Sequence, residues 1–311
     1  MLRQPTQALK QSNNQTMLSF ITWNVDPVLF HIGSFGLRYY SLCFLMAFVM
    51  GYVVLALMYK HEKVDIKYLD ALLVYIFLAT LIGARLGHCL FYEPGYYLTG
   101  DHWLEMILPM QRTPDGWHFT GYEGLASHGA AFGMLLALWL LYRRYLISPV
   151  WVVDRLVIIV AQGGFFIRLG NLFNSEIYGV ETSLPWGFIF LQNREVMPKH
   201  PTQLYESLSY LLIFLVCVFF YVRRSGKLRP GVLFGWWLIA LFGVRFLIEF
   251  VKEKQVAFES GMTLDMGQWL SIPFILLGVL VLVLAYKGVF TDKILMKKGD
   301  KVFDFSKLKK K

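Results

Sequence analysis

The stretch YYSLCFLMAFVMGYVVLALMY, residues 39–59, decides the fold class, because none of its 21 residues is charged. A helix needs about 20 apolar residues to cross the hydrocarbon layer of a membrane. The whole chain has the same character, since 56% of its 311 residues are apolar and 16% are charged. A water-soluble domain averages about 45–50% apolar and about 25% charged residues. The sequence therefore predicts a polytopic helical membrane protein and excludes a soluble enzyme, a disordered chain and a disulfide scaffold.

The predicted fold is all-α with seven transmembrane helices, at 39–59, 68–92, 126–147, 150–173, 203–222, 231–251 and 267–287. Residues 17–37, which Pro27 and two glycines break, are expected to form an interfacial arm on the membrane surface. The aromatic loops 93–125 and 174–202 are expected to pack at the interface. The predicted division is a polar extension at 1–16, a transmembrane catalytic domain at 17–288 and a basic tail at 289–311.

The distribution of lysine and arginine predicts the orientation. Eighteen of these side chains lie after the first, third, fifth and seventh spans, and seven lie on the other side. Because basic loops stay in the cytoplasm, we expect the N-terminus outside and the C-terminus in the cytoplasm, with both aromatic loops facing outward. This topology, and a lysine tail that can rest on anionic lipid, explain the net charge of +9. Nucleic acid is therefore not expected as a partner.

A polar stripe near the outer end of the fourth span is the main candidate site, because a charge at membrane depth is costly. Arg168, Asn171 and Ser175 are spaced to share one helical face, and Asn174 and Glu176 follow where the helix is expected to end. Such a stripe is expected to face a cavity or partner helices.

The other charged residues of the spans have structural explanations as well. Arg245 and Glu249 are four positions apart on one helix and can pair directly. Asp154 and Arg155 lie near the cytoplasmic end of their span and can extend to the surface. Glu206 can complement a helix N-terminus.

Arg85 and His128 complete the candidates. Arg85 lies between two glycines that allow close helix approach, and both a structural and a functional role are open for it. His128 begins the third span on the outer side, at the expected depth of Arg168, although a lone histidine is more often structural. Cys43, Cys89 and Cys217 are interpreted as buried small hydrophobes, and the histidine spacing does not predict a zinc site.

Several arginines at one membrane level suit the phosphate of a lipid head group, because a guanidinium binds phosphate through two hydrogen bonds. A nearby imidazole can accept a proton near neutral pH. Two other classes stay open. One is a transporter or channel for an anionic solute, although the chain has no internal repeat. The other is an inactive scaffold of the same fold that binds lipid or signal peptides.

The motif IRLGNLFNSEIYG, residues 167–179, resembles the signature of the prolipoprotein diacylglyceryl transferases, Gly-Arg-x-Gly-Asn-Phe-x-Asn-x-Glu-x-x-Gly. Ile167 and Leu172 are its departures from that signature, and both are apolar. Other blocks resemble the family in the same order over residues 20–285: RYYSLCF, GARLGHCLFY, GLASHGAAFG, HPTQLYE and FGVRFLIEF.

The resemblance implies an activity and a set of site residues. The family transfers an sn-1,2-diacylglyceryl group from phosphatidylglycerol to the lipobox cysteine of a prolipoprotein signal peptide. A thioether forms and sn-glycerol 1-phosphate leaves, as the first step of lipoprotein maturation in the bacterial inner membrane; no cofactor or metal is implied. His128 is expected as the general base, with Arg168 and Arg245 holding the phosphate. The other expected substrate-binding residues are Tyr40, Arg85, Asn171, Asn174, Glu176, Gly179, His200, Gln203 and Glu249.

Overall fold

The computed structural model describes residues 20–33, 35–99, 102–119, 121, 124–224, 228–254, 261–290, 295–298 and 301–304. The predicted extension at 1–16 lies outside the described residues, as does most of the predicted tail.

Eight α-helices make up most of the described chain: α1 Tyr39–His61, α2 Lys67–Phe91, α3 Pro94–Thr99, α4 Ser127–Tyr145, α5 Pro149–Phe173, α6 Thr202–Arg223, α7 Val232–Glu249 and α8 Met266–Tyr286. All except the short α3 begin and end within two residues of a predicted span. Local signals fix several ends. Leu146 adopts a left-handed conformation after α4, Pro149 begins α5, and Asp265 and Gln268 form a capping box at α8.

Six of these helices are long and apolar enough to cross a membrane: α1, α2, α5, α6, α7 and α8. The chain is therefore a multi-pass membrane protein. Helix α4, the third predicted span, is not among the six. It has 19 residues, with His128 in its first turn and Arg143 and Arg144 in its last turn, and these polar ends leave a short apolar centre. The prediction of seven spans is thus not confirmed.

The long helices pack as two groups that meet near the turns after α1 and α4. In the first group, α5 packs against both α1 and α6, and α7 packs against α8. In the second group, α2 packs mainly on α4. A Cβ atom on Gly83 of α2 would overlap the carbonyl oxygen of Gly129 on α4, so these two backbones are in contact. The shared core takes Tyr68, Leu69 and Leu72 from the start of α2, next to the first of these turns.

Arg155 lies in this shared core and does not extend to the surface, so the surface interpretation of Arg155 is wrong. Its Nε and Nη2 atoms donate to Oε1 of Glu62, at 2.9 and 2.7 Å. Trp151 Nε1 donates to Oε2 of the same carboxylate at 3.1 Å, and the Tyr221 hydroxyl donates to Oε1 at 2.8 Å. We call Glu62, Trp151, Arg155 and Tyr221 the Glu62 cluster.

Asp154 is buried as well, so the surface interpretation is also wrong for this residue. Its carboxylate accepts hydrogen bonds from the backbone N–H groups of Gly231 at 2.7 Å and Phe234 at 2.9 Å. These groups belong to the N-terminus of α7, where the helix itself offers no acceptor. Asp154 therefore caps α7 from a neighbouring helix, because the N-terminal end of α5 meets that of α7.

Short strands lie outside the helices, so the all-α prediction is wrong for the arm and the loops. Two antiparallel hairpins and one parallel pair involve β1 Ile21–Trp23, β2 Val28–Ile32, β3 Phe35–Arg38, β4 Met110–Thr113, β5 Gly116–Phe119 and β6 Phe188–Phe190. A further hairpin joins β7 Leu295–Lys298 and β8 Lys301–Asp304. In the arm, β1 pairs with β6 of the loop 174–202, and Trp23 Nε1 donates to the carbonyl of Leu172 at 3.1 Å. The arm is therefore bonded to the end of α5.

Candidate active site

The end of α5 carries the predicted polar stripe. Arg168 Nη1 donates to Asn171 Oδ1 at 3.2 Å, and Asn171 Nδ2 donates to Glu176 Oε1 at 2.7 Å. Three positions separate Arg168 from Asn171, so the two side chains share one helical face. The structure thus joins three predicted site residues in one hydrogen-bonded chain.

Ser175 does not extend this stripe, because α5 ends at Phe173. Ser175 and Ile177 adopt left-handed backbone conformations, with φ of 53° and 61°, and these turn the chain back on itself. The turn brings the N–H group of Glu176 to the carbonyl of Asn171, at 3.0 Å. The expectation that Ser175 lies on the helical face is therefore wrong, whereas Glu176 reaches Asn171 because the helix has ended.

Glu206 of α6 is the ion-pair partner of Arg168. Its side chain is fully buried, and Oε2 lies 2.5 Å from Arg168 Nε. Lys252 Nζ lies 3.7 Å from Oε1. Both contacts are ion pairs without hydrogen-bond geometry, and neither Glu206 oxygen accepts a hydrogen bond from the part of the chain that the structure describes. Glu206 therefore compensates two cations, a larger role than complementing a helix N-terminus.

The predicted pairing of Arg245 with Glu249 is absent. Glu249 Oε2 lies 3.5 Å from Lys252 Nζ, and the Glu249 carboxylate packs against Gly267 in the first turn of α8. Arg245 makes no ion pair with any residue that the structure describes. The four-residue spacing permitted the predicted pair, but a cation from the following turn occupies the carboxylate.

Arg245 lies on α7, which packs against α5 and α6, the helices of Arg168 and Glu206. The hydroxyl group of the buried Tyr210, on α6, is within electrostatic range of Arg168, Glu206 and Arg245. Three helices thus contribute charges to one region. We call the following residues the arginine site: Arg168, Asn171, Glu176, Glu206, Arg245, Glu249 and Lys252.

Two further predicted residues bind the turn after α5. Gln203 Nε2 donates to the backbone carbonyl of Glu176 at 2.7 Å, and Asn174 Nδ2 donates to its side chain at 3.3 Å. The oxygen atoms Gln203 Oε1 and Asn174 Oδ1 are buried and have no partner among the described residues. Buried acceptors of this kind are costly, so each is expected to meet a donor from outside the described residues.

Gly179 and His200 hold the same loop together. The Gly179 N–H group donates to the His200 carbonyl at 2.8 Å, and a Cβ atom on Gly179 would overlap the Val251 carbonyl. Burial lowers the pKa of His200, whose Nδ1 lies 3.2 Å from the Tyr205 hydroxyl. Both residues therefore support the loop beside the arginine site.

Tyr40 packs against the end of α5. A Cβ atom on Gly170 would lie 2.8 Å from the Tyr40 ring, and Gly170 lies between Arg168 and Asn171 in sequence. The glycine lets the first turn of α1 approach α5 closely. Tyr40 is thus next to the arginine site.

Among the described residues, no contact joins Arg85 or His128 to the arginine site. Arg85 donates to the Tyr97 hydroxyl at 3.1 Å and to the Glu105 carbonyl at 2.6 Å, and so ties the loop after α2 to that helix. His128 is exposed in the first turn of α4, and its imidazole has no hydrogen bond, ion pair or ring contact within the described ranges. Arg85 thus holds the loop after α2, and the predicted substrate roles of Arg85 and His128 stay predictions.

Lys252 and Tyr210 were missed by the sequence analysis. Lys252 follows α7 and was interpreted only as a loop charge, yet its side chain is 6% exposed and lies between two glutamates. The sequence signal that could have predicted this pair is that Lys252 lies three positions after Glu249, a spacing at which helical side chains can meet. Among the described residues, no group of three His, Cys, Asp or Glu side chains could hold a metal. Cys43, Cys89 and Cys217 are buried free thiols, which confirms their interpretation.

Comparison with known proteins identifies the family. The family model described as prolipoprotein diacylglyceryl transferase matches residues 27–284. Relatives named phosphatidylglycerol–prolipoprotein diacylglyceryl transferase include one from Bacteroides fragilis, 47% identical over 267 residues, which are 86% of this chain and 95% of the relative. A relative from Tolumonas auensis is 41% identical over 85% of this chain and 97% of its own length. One from Porphyromonas gingivalis is 40% identical over 90% and 99%. With the signature residues 167–179 at the arginine site, the chain belongs to the prolipoprotein diacylglyceryl transferase family.

Proposed function

We propose that this transferase moves the sn-1,2-diacylglyceryl group of phosphatidylglycerol to the lipobox cysteine of prolipoproteins. The observation that carries the proposal is the pairing state of the two arginines. Arg168 is oriented by Glu206 and Asn171, whereas Arg245 has no ion-pair partner among the described residues. Glu206 and Glu249 both lie in ion-pair range of Lys252, so the unpaired Arg245 guanidinium is the group that suits a phosphodiester.

The chemistry balances without a cofactor. The cysteine sulfur attacks C3 of the diacylglyceryl group, the C3–O bond breaks, and sn-glycerol 1-phosphate leaves with the electron pair. The phosphate gains charge as that bond breaks, so Arg168 and Arg245 stabilise the transition state more than the ground state. The thiol proton must leave the sulfur, because the thiolate is the nucleophile. His128, exposed and without a protein partner, is the proposed base.

The proposed topology places the arginine site at the outer leaflet of the bacterial inner membrane. It keeps α4 as a seventh span, with the N-terminus outside and the C-terminus in the cytoplasm, and its support is the basic imbalance of the loops. An impermeant thiol reagent tests it, because the native cysteines are buried. Ser183→Cys should react in intact spheroplasts, and the control Arg144→Cys only after lysis. The reverse pattern would contradict the orientation.

A transfer assay tests the activity. Purified protein is mixed with phosphatidylglycerol and a lipobox peptide, and both peptide mass and released glycerol phosphate are measured. We expect one diacylglyceryl group per peptide and an equal amount of glycerol phosphate. A matched peptide with serine in place of cysteine should gain no mass. A transporter or an inactive scaffold would release no glycerol phosphate.

A further inference from the structure

Helical spacing would allow Glu249 to pair with Arg245, but it pairs with Lys252. Arg245 precedes it by one helical turn, the spacing at which oppositely charged side chains usually meet. Its carboxylate lies instead 3.5 Å from Lys252 Nζ. This choice leaves Arg245 without an ion pair in the described part of the molecule.

Backbone contacts hold Lys252 in this position. Its N–H group donates to the Glu249 carbonyl at 3.2 Å, and Lys252 forms an antiparallel bridge with Gly179. The neighbouring Val251 carbonyl accepts from Val180 N–H at 3.0 Å. The loop after α5 therefore fixes the residue whose side chain holds Glu249.

The ammonium group also suits two carboxylates at once. Lys252 Nζ lies 3.7 Å from Glu206 Oε1 and 3.5 Å from Glu249 Oε2. Lysine carries a compact charge with three donors, so one side chain can serve both partners. The α8 N-terminus beside Glu249 supplies only about half a charge, whereas Lys252 supplies a full one.

We propose that Lys252 is a positioning residue that keeps Glu249 away from Arg245, so that the Arg245 guanidinium stays available for the phosphate. The inference rests on the proposed function of Arg245. Without the lysine, Glu249 turns to Arg245, and the lipid phosphate must displace a carboxylate in order to bind. A lost positioning contact of this kind weakens lipid binding before it affects the chemical step.

Kinetics of Lys252 variants test the inference. In Lys252→Gln we expect the KM for phosphatidylglycerol to rise at least about tenfold, the lower limit for coupling between close charges, with a smaller change in kcat. Lys252→Arg should keep most of the activity, because it retains the charge. If Lys252→Gln does not fold, Lys252→Met takes its place, and folding is checked by monodispersity and the thermal midpoint.

The double variant Lys252→Gln/Glu249→Gln gives the sharper result. Removing the competing carboxylate should bring the KM back toward the wild-type value, which a merely structural lysine would not predict. A double variant that binds lipid no better than Lys252→Gln would overturn the inference.

A readout without substrate separates this inference from the proposed function. Phenylglyoxal modifies accessible guanidinium groups, and peptide mass spectrometry measures its reaction at Arg245. Labelling should fall in Lys252→Gln and return in the double variant. Unchanged labelling in Lys252→Gln would overturn the inference. Reduced labelling with an unchanged KM would support the positioning by Lys252 and contradict the phosphate role of Arg245.

Discussion

Helix α5 carries an arginine near each end, and each one pairs with a buried glutamate from another part of the chain. Arg155 pairs with Glu62 and Arg168 pairs with Glu206. At the first, the Glu62 carboxylate also accepts hydrogen bonds from a tryptophan and a tyrosine, and the Arg155 guanidinium lies 4.4 Å from the Trp151 ring. At the second, the Glu206 oxygens accept no hydrogen bond from the described residues.

The two pairs differ in how completely their charges are satisfied by hydrogen bonds. A buried pair is stable when further hydrogen bonds satisfy its remaining donors and acceptors, as in the Glu62 cluster. The arginine site leaves the Glu206 acceptors unsatisfied and Arg245 without an ion pair among the described residues, so its charges are less fully compensated than those of the Glu62 cluster. The sequence predicted neither glutamate partner: it placed Arg155 at the surface and Arg168 in a polar stripe.

The largest expected effect is a loss of turnover in His128→Gln, because Arg168 and Arg245 cannot replace the imidazole as a proton acceptor. His128→Gln should lose roughly 10²–10⁴ in turnover while still binding lipid, the usual range for a general base. Turnover of both proteins is measured from pH 5.5 to 9 with one peptide. The variant should recover partly as rising pH ionises the thiol in solution. A variant that follows the wild type at every pH would show that His128 is structural.

Substitutions in the Glu62 cluster should lower the stability of the protein. Glu62→Gln leaves Arg155 buried without its counter-charge, and we expect a loss of about 3–5 kcal/mol in the free energy of unfolding. Denaturant titration in detergent measures the loss. Glu62→Gln/Arg155→Met should recover much of it, because Arg155 is then no longer a buried cation without its counter-charge. An equal loss in the double variant would contradict the charge explanation.

Substitutions in the arginine site should lower turnover more than stability. Arg168→Lys should lose about 2–5 kcal/mol of transition-state stabilisation, roughly 30-fold or more in rate, because an ammonium cannot bind phosphate through two parallel hydrogen bonds. Its thermal midpoint should stay close to the wild-type value. The matched control, Arg155→Lys, should show the opposite pattern. Near-normal turnover of Arg168→Lys would mean that this arginine is only a structural cation.

The smallest expected effect is at the cap of α7. Asp154→Asn keeps an acceptor for one of the two backbone N–H groups and loses the negative charge, so we expect a loss of about 0.5–2 kcal/mol in stability. The thermal midpoint measures it, with Asp154→Ala as the more severe control. If Asp154→Ala is as stable as the wild type, the capping contacts contribute nothing measurable.

Local patterns in the sequence predicted the helices and one part of the site. Apolar runs placed seven long helices within two residues of their observed ends, because a run that fills the bilayer leaves little freedom in its bounds. Helical spacing also predicted that Arg168 and Asn171 share a face. The same reasoning was wrong for Arg245 with Glu249, because a local pair competes with cations that arrive from other segments.

Apart from the pair of Lys252 with Glu249, the missed ion pairs join distant segments. Arg168 and Glu206 are 38 positions apart, and Arg155 and Glu62 are 93 apart. No periodicity within one helix contains such pairs. Which of them form depends on which helix ends meet.

The sequence by itself determined that the chain is a helical membrane protein, where its long helices lie, and which family signature it carries. The tertiary structure alone decided how the charges are paired. A membrane interior requires that a buried charge be compensated, but several carboxylates can compensate each arginine. The packing of α5 against α1, α6 and α7 selects among them: it gives Arg155 a fully bonded glutamate, Arg168 a glutamate shared with Lys252, and Arg245 none among the described residues.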